Sequence, residues 1–262
     1  EGIYIEHKND TFKNMFYIEE EKRGFYPEEN HTVSGVFEIE IPKKAEKEIS
    51  FVCSFEENID QINVKKLIEN EIVRQNEIYN KSLLIDNRKE KKTKKQLEEE
   101  QLIKDFITAT DNFVVYRPSF RLHTLLAGYP WFLDWGRDSL ISFEGLLLVT
   151  KRFDIAKEVL QTLVRDIKFG LVPNGYSGFD NRPLYNSVDA SLLLFEQIQK
   201  YVEYTEDYEF VKENLYEKLK DVIENYKNGI DVDDNNIYLD TDYLIVSGTQ
   251  NTQNTWMDAK YD

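Results

Sequence analysis

From about residue 100 onward, apolar residues recur at the three- and four-residue spacing of an α-helix in one segment after another. The apolar faces are Leu102, Phe106, Ala109 and Phe113; Ala156, Val159, Leu163 and Ile167; Val188, Leu192, Phe195 and Val202; and Val211, Leu215, Leu219, Val222 and Tyr226. Residues 139–149 predict a further, strongly apolar helix. Asp154 and Asp207 stand where N-caps belong, and Gly229 stands where the last helix would end. Repeated amphipathic helices predict an α/α architecture whose functional groups gather in the connecting loops.

The amino-terminal part has a different pattern. Apolar and polar residues alternate over 33–41 and again over 49–55, which predicts antiparallel strands. Short apolar runs at 3–5 and 15–18 suggest further strands. We therefore interpret residues 1–57 as the end of an amino-terminal β-sandwich domain.

Residues 58–105 are highly charged and carry only a thin apolar stripe, which predicts a helical linker. Residues 106–262 contain the repeated helices. The predicted fold class is therefore mainly α, with a β-sandwich end, a linker and a helical domain in that order. Because the chain starts at Glu1 rather than Met and stops two residues after Lys260, we expect it to be a piece of a longer protein.

The charge balance restricts the partners. Acidic residues outnumber basic ones by 49 to 33, and the net charge is −16. Such a chain is not expected to bind nucleic acid or an anionic membrane surface, and it is compatible with a neutral substrate. The single cysteine, Cys53, excludes an internal disulfide and a cysteine-based zinc site, so we predict a cytoplasmic protein. Neither metal-ligand spacing nor a phosphate or dinucleotide motif occurs, and no cofactor is predicted.

The segment we call loop one, residues 128–139, concentrates aromatic and charged residues without helical or strand periodicity. It carries Trp131, Trp135, Arg137 and Asp138. Flat rings suit the apolar faces of a sugar, and an arginine and a carboxylate suit its hydroxyls. Alternatively, Asp138 caps a helix that starts at Ser139, Arg137 pairs with Asp134, and the tryptophans lie in the core.

Two further loops contain candidate site residues. Loop two, residues 170–189, is rich in turn-forming residues such as Pro173, Asn174 and Gly175, and it ends with Asn186 and Asp189 at a helix start. The side chains of Asn186 and Asp189 either face a ligand or cap the helix, and Ser187 is a further candidate for the cap.

Loop three, residues 254–260, places Asp258 after Trp256 and Met257. An apolar surrounding would favour a protonated acid, whereas a salt bridge from Lys260 would oppose it.

Taken together, the three loops resemble the glucosidase part of glycogen debranching enzymes. The resemblance rests on Ala127-Gly-Tyr-Pro-Trp-Phe-Leu-Asp-Trp-Gly-Arg-Asp138, Tyr185-Asn-Ser-Val-Asp-Ala190 and Thr255-Trp-Met-Asp-Ala-Lys260, which occur in the family's order. It implies an (α/α)6 toroid, incomplete in this chain, that follows a β-sandwich. It also implies amylo-α-1,6-glucosidase activity on glycogen or branched malto-oligosaccharide, with inversion at the anomeric carbon.

The resemblance assigns a role to each candidate. Asp258 is the expected catalytic general acid. The substrate-binding residues are expected to be Trp131, Trp135, Arg137, Asp138, Asn186, Asp189, Trp256 and Lys260. The general base is expected far beyond the acid, outside these 262 residues, so we expect the chain alone to lack hydrolytic activity. Two alternatives stay open: a glucoamylase- or trehalase-like enzyme on the same barrel, and a glycan-binding fragment without catalysis.

Overall fold

The computed structural model describes residues 2–44, 46–54, 62–85, 92–128, 132–177, 180 and 182–257. The chain divides into two compact units, Glu1–Val64 and Lys65–Asp262. The helices that surround the candidate site all belong to the second unit.

The first unit contains one long antiparallel hairpin. Strand β1, Ile3–Phe16, pairs with strand β2, Glu28–Glu38, and the short helix α1, Ile18–Lys22, lies between them. The pairing shifts register twice along β1, and Asn9 and Asn14 adopt positive φ angles of 60° and 58° near those shifts. Asparagine tolerates this left-handed conformation better than most residues, so the sequence permits both irregularities.

The predicted meander is only partly formed in the described residues of this unit. Strand β1 contains the first short run expected near the amino terminus but ends at Phe16, and Ile18 begins helix α1, so the second run is a strand only in part. Residues 49–54 form no strand, contrary to the prediction. Alternation marks one apolar face, but a strand also needs a neighbouring edge to bond with. Phe51 instead packs edge-on against Phe37 of β2, with ring centroids 5.2 Å apart. The β-sandwich stays a prediction.

The second unit is mainly helical and, in its described residues, also has three short two-stranded antiparallel sheets. Its helices are α2, Val64–Lys81; α3, Lys94–Asp111; α4, Gly136–Phe143; α5, Phe153–Arg165; α6, Asp189–Thr205; α7, Tyr208–Asn214; and α8, Tyr216–Asn228. Its strands are β3, Val114–Arg117; β4, Leu122–Leu125; β5, Gly175–Tyr176; β6, Pro183–Leu184; β7, Tyr238–Leu239; and β8, Ile245–Val246, paired as successive hairpins. The mainly α class is confirmed, and the toroid stays a prediction.

Several helix ends differ from the predicted ones. Helix α4 begins at Gly136 and continues as a π-helical segment, Glu144–Leu148. The last predicted helix is two helices that meet at Leu215, with Asp207 accepting a hydrogen bond from the Phe210 N–H as predicted for an N-cap. Asp154 is inside the first turn of α5 rather than at its cap. Periodicity survives a one-residue break between helices, so it could not reveal the interruption at Leu215.

A continuous apolar core positions the loops. Leu140, Phe143, Leu160 and Leu194 are completely buried, and helix α4 packs against α6 while α5 packs against β4. Each such side chain stabilises the fold by about 1.5–3 kcal/mol through removal from water. The packing of α4 on α6 brings their amino-terminal ends, and hence loops one and two, together. No helix in the described segments combines the length and apolarity needed to cross a membrane.

Candidate functional site

An open cleft of about 370 Å³ lies at the amino-terminal end of α4. Its walls are formed by Ala127, Phe132, Trp135, Arg137, Asp138, Asn174, Asn186 and Gln253. The cleft therefore joins loop one, loop two and the residue that precedes loop three. Among the predicted site residues, Trp135, Arg137, Asp138 and Asn186 face it, whereas Trp131, Asp258 and Lys260 lie outside the described residues.

Two glycines allow loops one and two to touch at the base of the cleft. A Cβ atom on Gly136 would lie 2.3 Å from the Pro173 carbonyl oxygen, so no other residue fits there without movement. The Gly136 N–H donates to the carbonyl of Asn174 at 2.9 Å. A Cβ on Gly175 would lie 3.1 Å from the Trp135 ring. The half-buried indole is thereby held flat against the start of the β5–β6 hairpin.

Asp134 anchors the start of α4 to strand β3. Its buried carboxylate accepts hydrogen bonds from Nη1 of Arg117, 2.7 Å from each oxygen, and the Arg117 guanidinium also stacks over Phe120. The alternative in which Arg137 pairs with Asp134 is therefore wrong. Asp134 precedes the helix and Arg137 lies in its first turn, so the two side chains bind different partners.

Arg137 instead crosses to the start of α6. Its Nε donates to both Asp189 oxygens at 2.9 Å, and its Nη2 donates to the Ser187 hydroxyl at 3.2 Å. The residue is only 8% exposed. Its other terminal nitrogen, Nη1, donates to no group within the described part of the chain. Two N–H groups of a buried, oriented guanidinium are thus available where Arg137 lines the cleft.

Asp189 also binds the backbone of loop three. The Trp256 N–H donates to its Oδ2 at 3.2 Å, and the neighbouring Val188 N–H donates to the Asn254 carbonyl at 2.8 Å. Ser187 completes the group by donating to Asp189 Oδ1 at 2.6 Å and accepting from the Ala190 N–H. One carboxylate therefore connects all three loops. The capping prediction is half right, since Ser187 bonds to the first turn of α6 whereas Asn186 is exposed and lines the cleft.

Asp138 lies in the first turn of α4 with its side chain exposed. The helix begins three residues earlier than the capping alternative required, and the N-cap position belongs to Trp135, which makes no side-chain capping bond. A carboxylate in a first turn is favoured by the helix dipole. Asp138 also borders a second hollow of about 270 Å³, whose lining includes Phe113, Ile141 and Leu146.

A separate ionic cluster supports the hairpin behind Trp135. The Tyr176 hydroxyl donates to Asp166 at 2.8 Å, and burial together with this bond raises the pKa of Tyr176 well above its usual value. Burial alone would raise the pKa of Asp166, but hydrogen bonds from Arg165 and Tyr176 outweigh it and lower that pKa. The Tyr185 hydroxyl donates to the Asp166 carbonyl. This cluster fixes both ends of the β5–β6 hairpin.

Sequence reasoning missed several lining residues. Asn174 was interpreted only as part of a turn, while Ala127, Phe132 and Gln253 gave no signal of their own. In the structure Asn174 is distinguished by a buried side-chain oxygen that accepts no hydrogen bond from the described residues. That property is visible only in three dimensions.

A helical unit whose loops surround a cleft with two aromatic rings, a guanidinium, a carboxylate and three side-chain amides has the features of a carbohydrate-binding site. Residues 108–262 match the family described as amylo-alpha-1,6-glucosidase. The chain therefore belongs to the amylo-alpha-1,6-glucosidase family, which points to a glycosidase-type function.

A relative is consistent with this assignment. Over 90 residues, 32% of this chain, the sequence is 38% identical to the protein named glycogen debranching enzyme from Saccharomyces cerevisiae (strain ATCC 204508 / S288c). The aligned part covers only 6% of that yeast protein.

Proposed function

We propose that the cleft binds a terminal glucosyl unit and that Asp258 protonates the α-1,6 linkage by which this unit is attached to a branched glucan. The observation that carries the proposal is Arg137, a buried arginine that Asp189 orients and whose Nη1 at the cleft wall donates to no described residue. An oriented donor fork beside an indole ring suits a pyranose, whose faces are apolar and whose edge carries hydroxyls.

The substrate would be held between an apolar wall and two charged groups. Trp135 provides the wall, Arg137 donates to sugar hydroxyls, and Asp138 accepts from them; Asn186 and Trp256 extend the polar and aromatic surface. A cleft of about 370 Å³ lies within the range of small-ligand sites, about 300–1,000 Å³. We propose that Asp189 contributes chiefly through Arg137 and Trp256, because those two residues occupy its carboxylate oxygens.

The hydrogen bond between Asp189 and Trp256 supports the choice of acid. Asp258 follows Trp256 by two residues in the sequence, and Asp189 accepts a hydrogen bond from the Trp256 backbone N–H. We therefore propose that Asp258 reaches the linkage of a sugar bound in the cleft. Inversion requires a second carboxylate about 6.5–9.5 Å from the acid to activate water from the opposite face of the sugar. The resemblance puts this base beyond Asp258 in the chain.

The test is glucose release from a glycogen limit dextrin by the longest natural polypeptide that contains this sequence. We expect release as β-glucose at first, seen by proton NMR, since inversion of an α-linkage gives the β-anomer. Asp258→Asn should abolish release and preserve affinity for the dextrin. Arg137→Lys should weaken binding of the dextrin, because the ammonium group of lysine cannot reproduce the planar guanidinium and its several N–H donors. Arg23→Lys, at an exposed hairpin residue, is the matched control.

The alternatives predict different results. A glucoamylase-like enzyme would release glucose from maltose faster than from the limit dextrin, and a trehalase-like enzyme would prefer an α,α-1,1 disaccharide. A glycan-binding protein would retain its whole function in the Asp258→Asn variant. Initial release of α-glucose would contradict inversion.

A further inference from the structure

Asn174 is a buried residue in the cleft wall whose side chain the fold does not explain. It is only 3% exposed, and its Oδ1 accepts no hydrogen bond from any described residue. A buried amide oxygen without a partner is unfavourable, because it has lost its bonds to water. Where such a group lies in the wall of a cleft, a ligand hydroxyl is a group that can supply the missing donor.

The backbone of Asn174 is fixed on both sides. Its N–H donates to the Leu184 carbonyl at 2.8 Å, and its carbonyl accepts from the Gly136 N–H at 2.9 Å. These bonds use only main-chain atoms, which almost any residue could provide. These two bonds fix the backbone of residue 174 beside the cleft, and they do not require the side chain to be that of asparagine.

The usual reasons for asparagine in a turn do not apply. Asparagine is favoured where φ is positive or where its side chain bonds to the backbone two residues on. The described residues with positive φ do not include Asn174, and its Oδ1 makes no such bond. The residue type therefore needs another explanation.

Its place in the wall suggests the ligand. Four buried amide oxygens lack a partner among the described residues, those of Gln75, Asn174, Gln197 and Asn235, and of these four residues only Asn174 lines the cleft. Arg137 offers only donors and Asp138, when ionised, only acceptors. The neutral side-chain amide of Asn174 adds both an acceptor oxygen and an N–H donor group. This combination suits a sugar hydroxyl, which donates one hydrogen bond and accepts another.

We infer that Asn174 is a sugar-binding residue whose Oδ1 accepts a hydrogen bond from one hydroxyl of the glucosyl unit in the cleft. The inference rests on the proposed function, because it assigns a further residue to the same site. It predicts that Asn174 discriminates glucose from the deoxyglucose that lacks that hydroxyl.

The experiment measures binding of D-glucose and its 2-, 3-, 4- and 6-deoxy analogues by NMR titration, in the longest natural polypeptide containing this sequence. We expect one deoxy analogue to bind the wild type roughly three- to tenfold more weakly than glucose through loss of the bond to Asn174. Asn174→Ala should weaken glucose binding by a similar factor and abolish the discrimination against that analogue. Asn174→Asp, which keeps an acceptor of the same shape, should preserve the discrimination.

Gln197→Leu is the matched control, because it removes another buried amide with an unpartnered oxygen away from the cleft, and it should leave discrimination unchanged. Wild-type discrimination retained in Asn174→Ala would overturn the inference and leave the proposed function standing. Failure of the wild type to bind any of these sugars would count against both. If Asn174→Ala does not fold, Asn174→Leu replaces it: loss of discrimination in that variant supports the inference, and retained discrimination overturns it.

Discussion

The helical unit and the hairpin unit use the same kinds of apolar residue with opposite results. Leu140, Phe143 and Leu160 in the helical unit are completely buried, whereas Ile3 and Phe12 in the hairpin are 66% and 63% exposed. Helices that pack on one another bury their apolar faces from both sides. A two-stranded sheet by itself has no second layer to cover either face. Whether an apolar side chain of this chain is buried therefore depends on a second layer of secondary structure that packs on it, and not on its residue type alone.

Charged residues differ between the two units in the same way. Arg137 is buried and shares Asp189 with Ser187 and Trp256, while the hairpin unit has exposed local pairs such as Lys22 with Glu19. Exposed pairs contribute little, because water competes for both ions. Breaking a buried pair leaves an uncompensated charge and is costly. Sensitivity to substitution should therefore be concentrated in the helical unit.

The largest expected effect is at Asp189. Asp189→Ala removes the partner of a buried guanidinium, and we expect the free energy of unfolding to fall by about 3–5 kcal/mol. Asp189→Asn should cost less, because its amide oxygen can still accept from Arg137. The measurement is urea denaturation of the 262-residue chain followed by circular dichroism. Glu19→Ala in the hairpin is the control, and equal losses at Glu19 and Asp189 would contradict the comparison.

The next largest effect concerns the core itself. Leu160 is completely buried on α5, so Leu160→Ala should lower the free energy of unfolding by about 2–5 kcal/mol through lost contacts and the cavity left behind. Leu160→Met, which nearly conserves volume, should cost under about 1.5 kcal/mol. The same denaturation curves measure both. A loss below about 1 kcal/mol for Leu160→Ala would mean that this core is loosely packed.

The sequence predicted local features of the helical unit well, because each depends on nearby residues. The predicted face around Val159 is buried, and Asp207 caps its helix as expected. Two other predicted faces are wrong in part, because Leu102, Phe106 and Leu192 are exposed. In α6 the buried face includes Leu194 instead, since packing against the neighbouring helices decides which side of a mostly apolar helix is covered. The loops were also recognisable from their composition. What periodicity could not locate were the ends of elements, such as the start of α4 at Gly136 and the break at Leu215.

The contacts of the candidate site could not be predicted in the same way. Arg137 lies 52 residues from Asp189 in the sequence, and Asp189 lies 67 residues from Trp256. Such pairs depend on how α4 packs against α6, whereas Asp134, the sequence neighbour considered as an alternative partner, binds Arg117 instead. Asn174 illustrates the same limit, since its residue type predicts only a turn.

A smaller, pH-dependent effect is expected at Asp166. Its pKa is lowered in the folded state, so its contribution to stability is present above the unfolded pKa, near 3.8, and is lost as the pH falls through the folded pKa. Asp166→Asn should therefore lower the Tm by about 2–4 °C at pH 7, equivalent to about 1 kcal/mol after solvent screening. The difference from wild type should shrink below pH 4. A difference that grows on acidification would contradict the assignment.

Asp10 in the hairpin provides the matching carboxylate for that measurement. Its pKa is also lowered, chiefly by a hydrogen bond from His7, but the pair is exposed. We expect Asp10→Asn to change the Tm less than Asp166→Asn at pH 7. An equal or larger change at Asp10 would contradict the comparison, because the carboxylate of the hairpin unit would then matter at least as much for stability as Asp166.

The smallest effect is expected on the exposed face of the hairpin. Ile3→Thr keeps a β-branched residue in β1 and removes apolar surface that is largely in water already, so the free energy of unfolding should change by no more than about 0.5 kcal/mol. Denaturation of the 262-residue chain checks this beside Leu160→Ala. A loss above about 1 kcal/mol would mean that Ile3 is covered in solution. The difference in burial between the two units would then depend on what each unit packs against in solution, and not on how many layers of secondary structure each unit forms by itself.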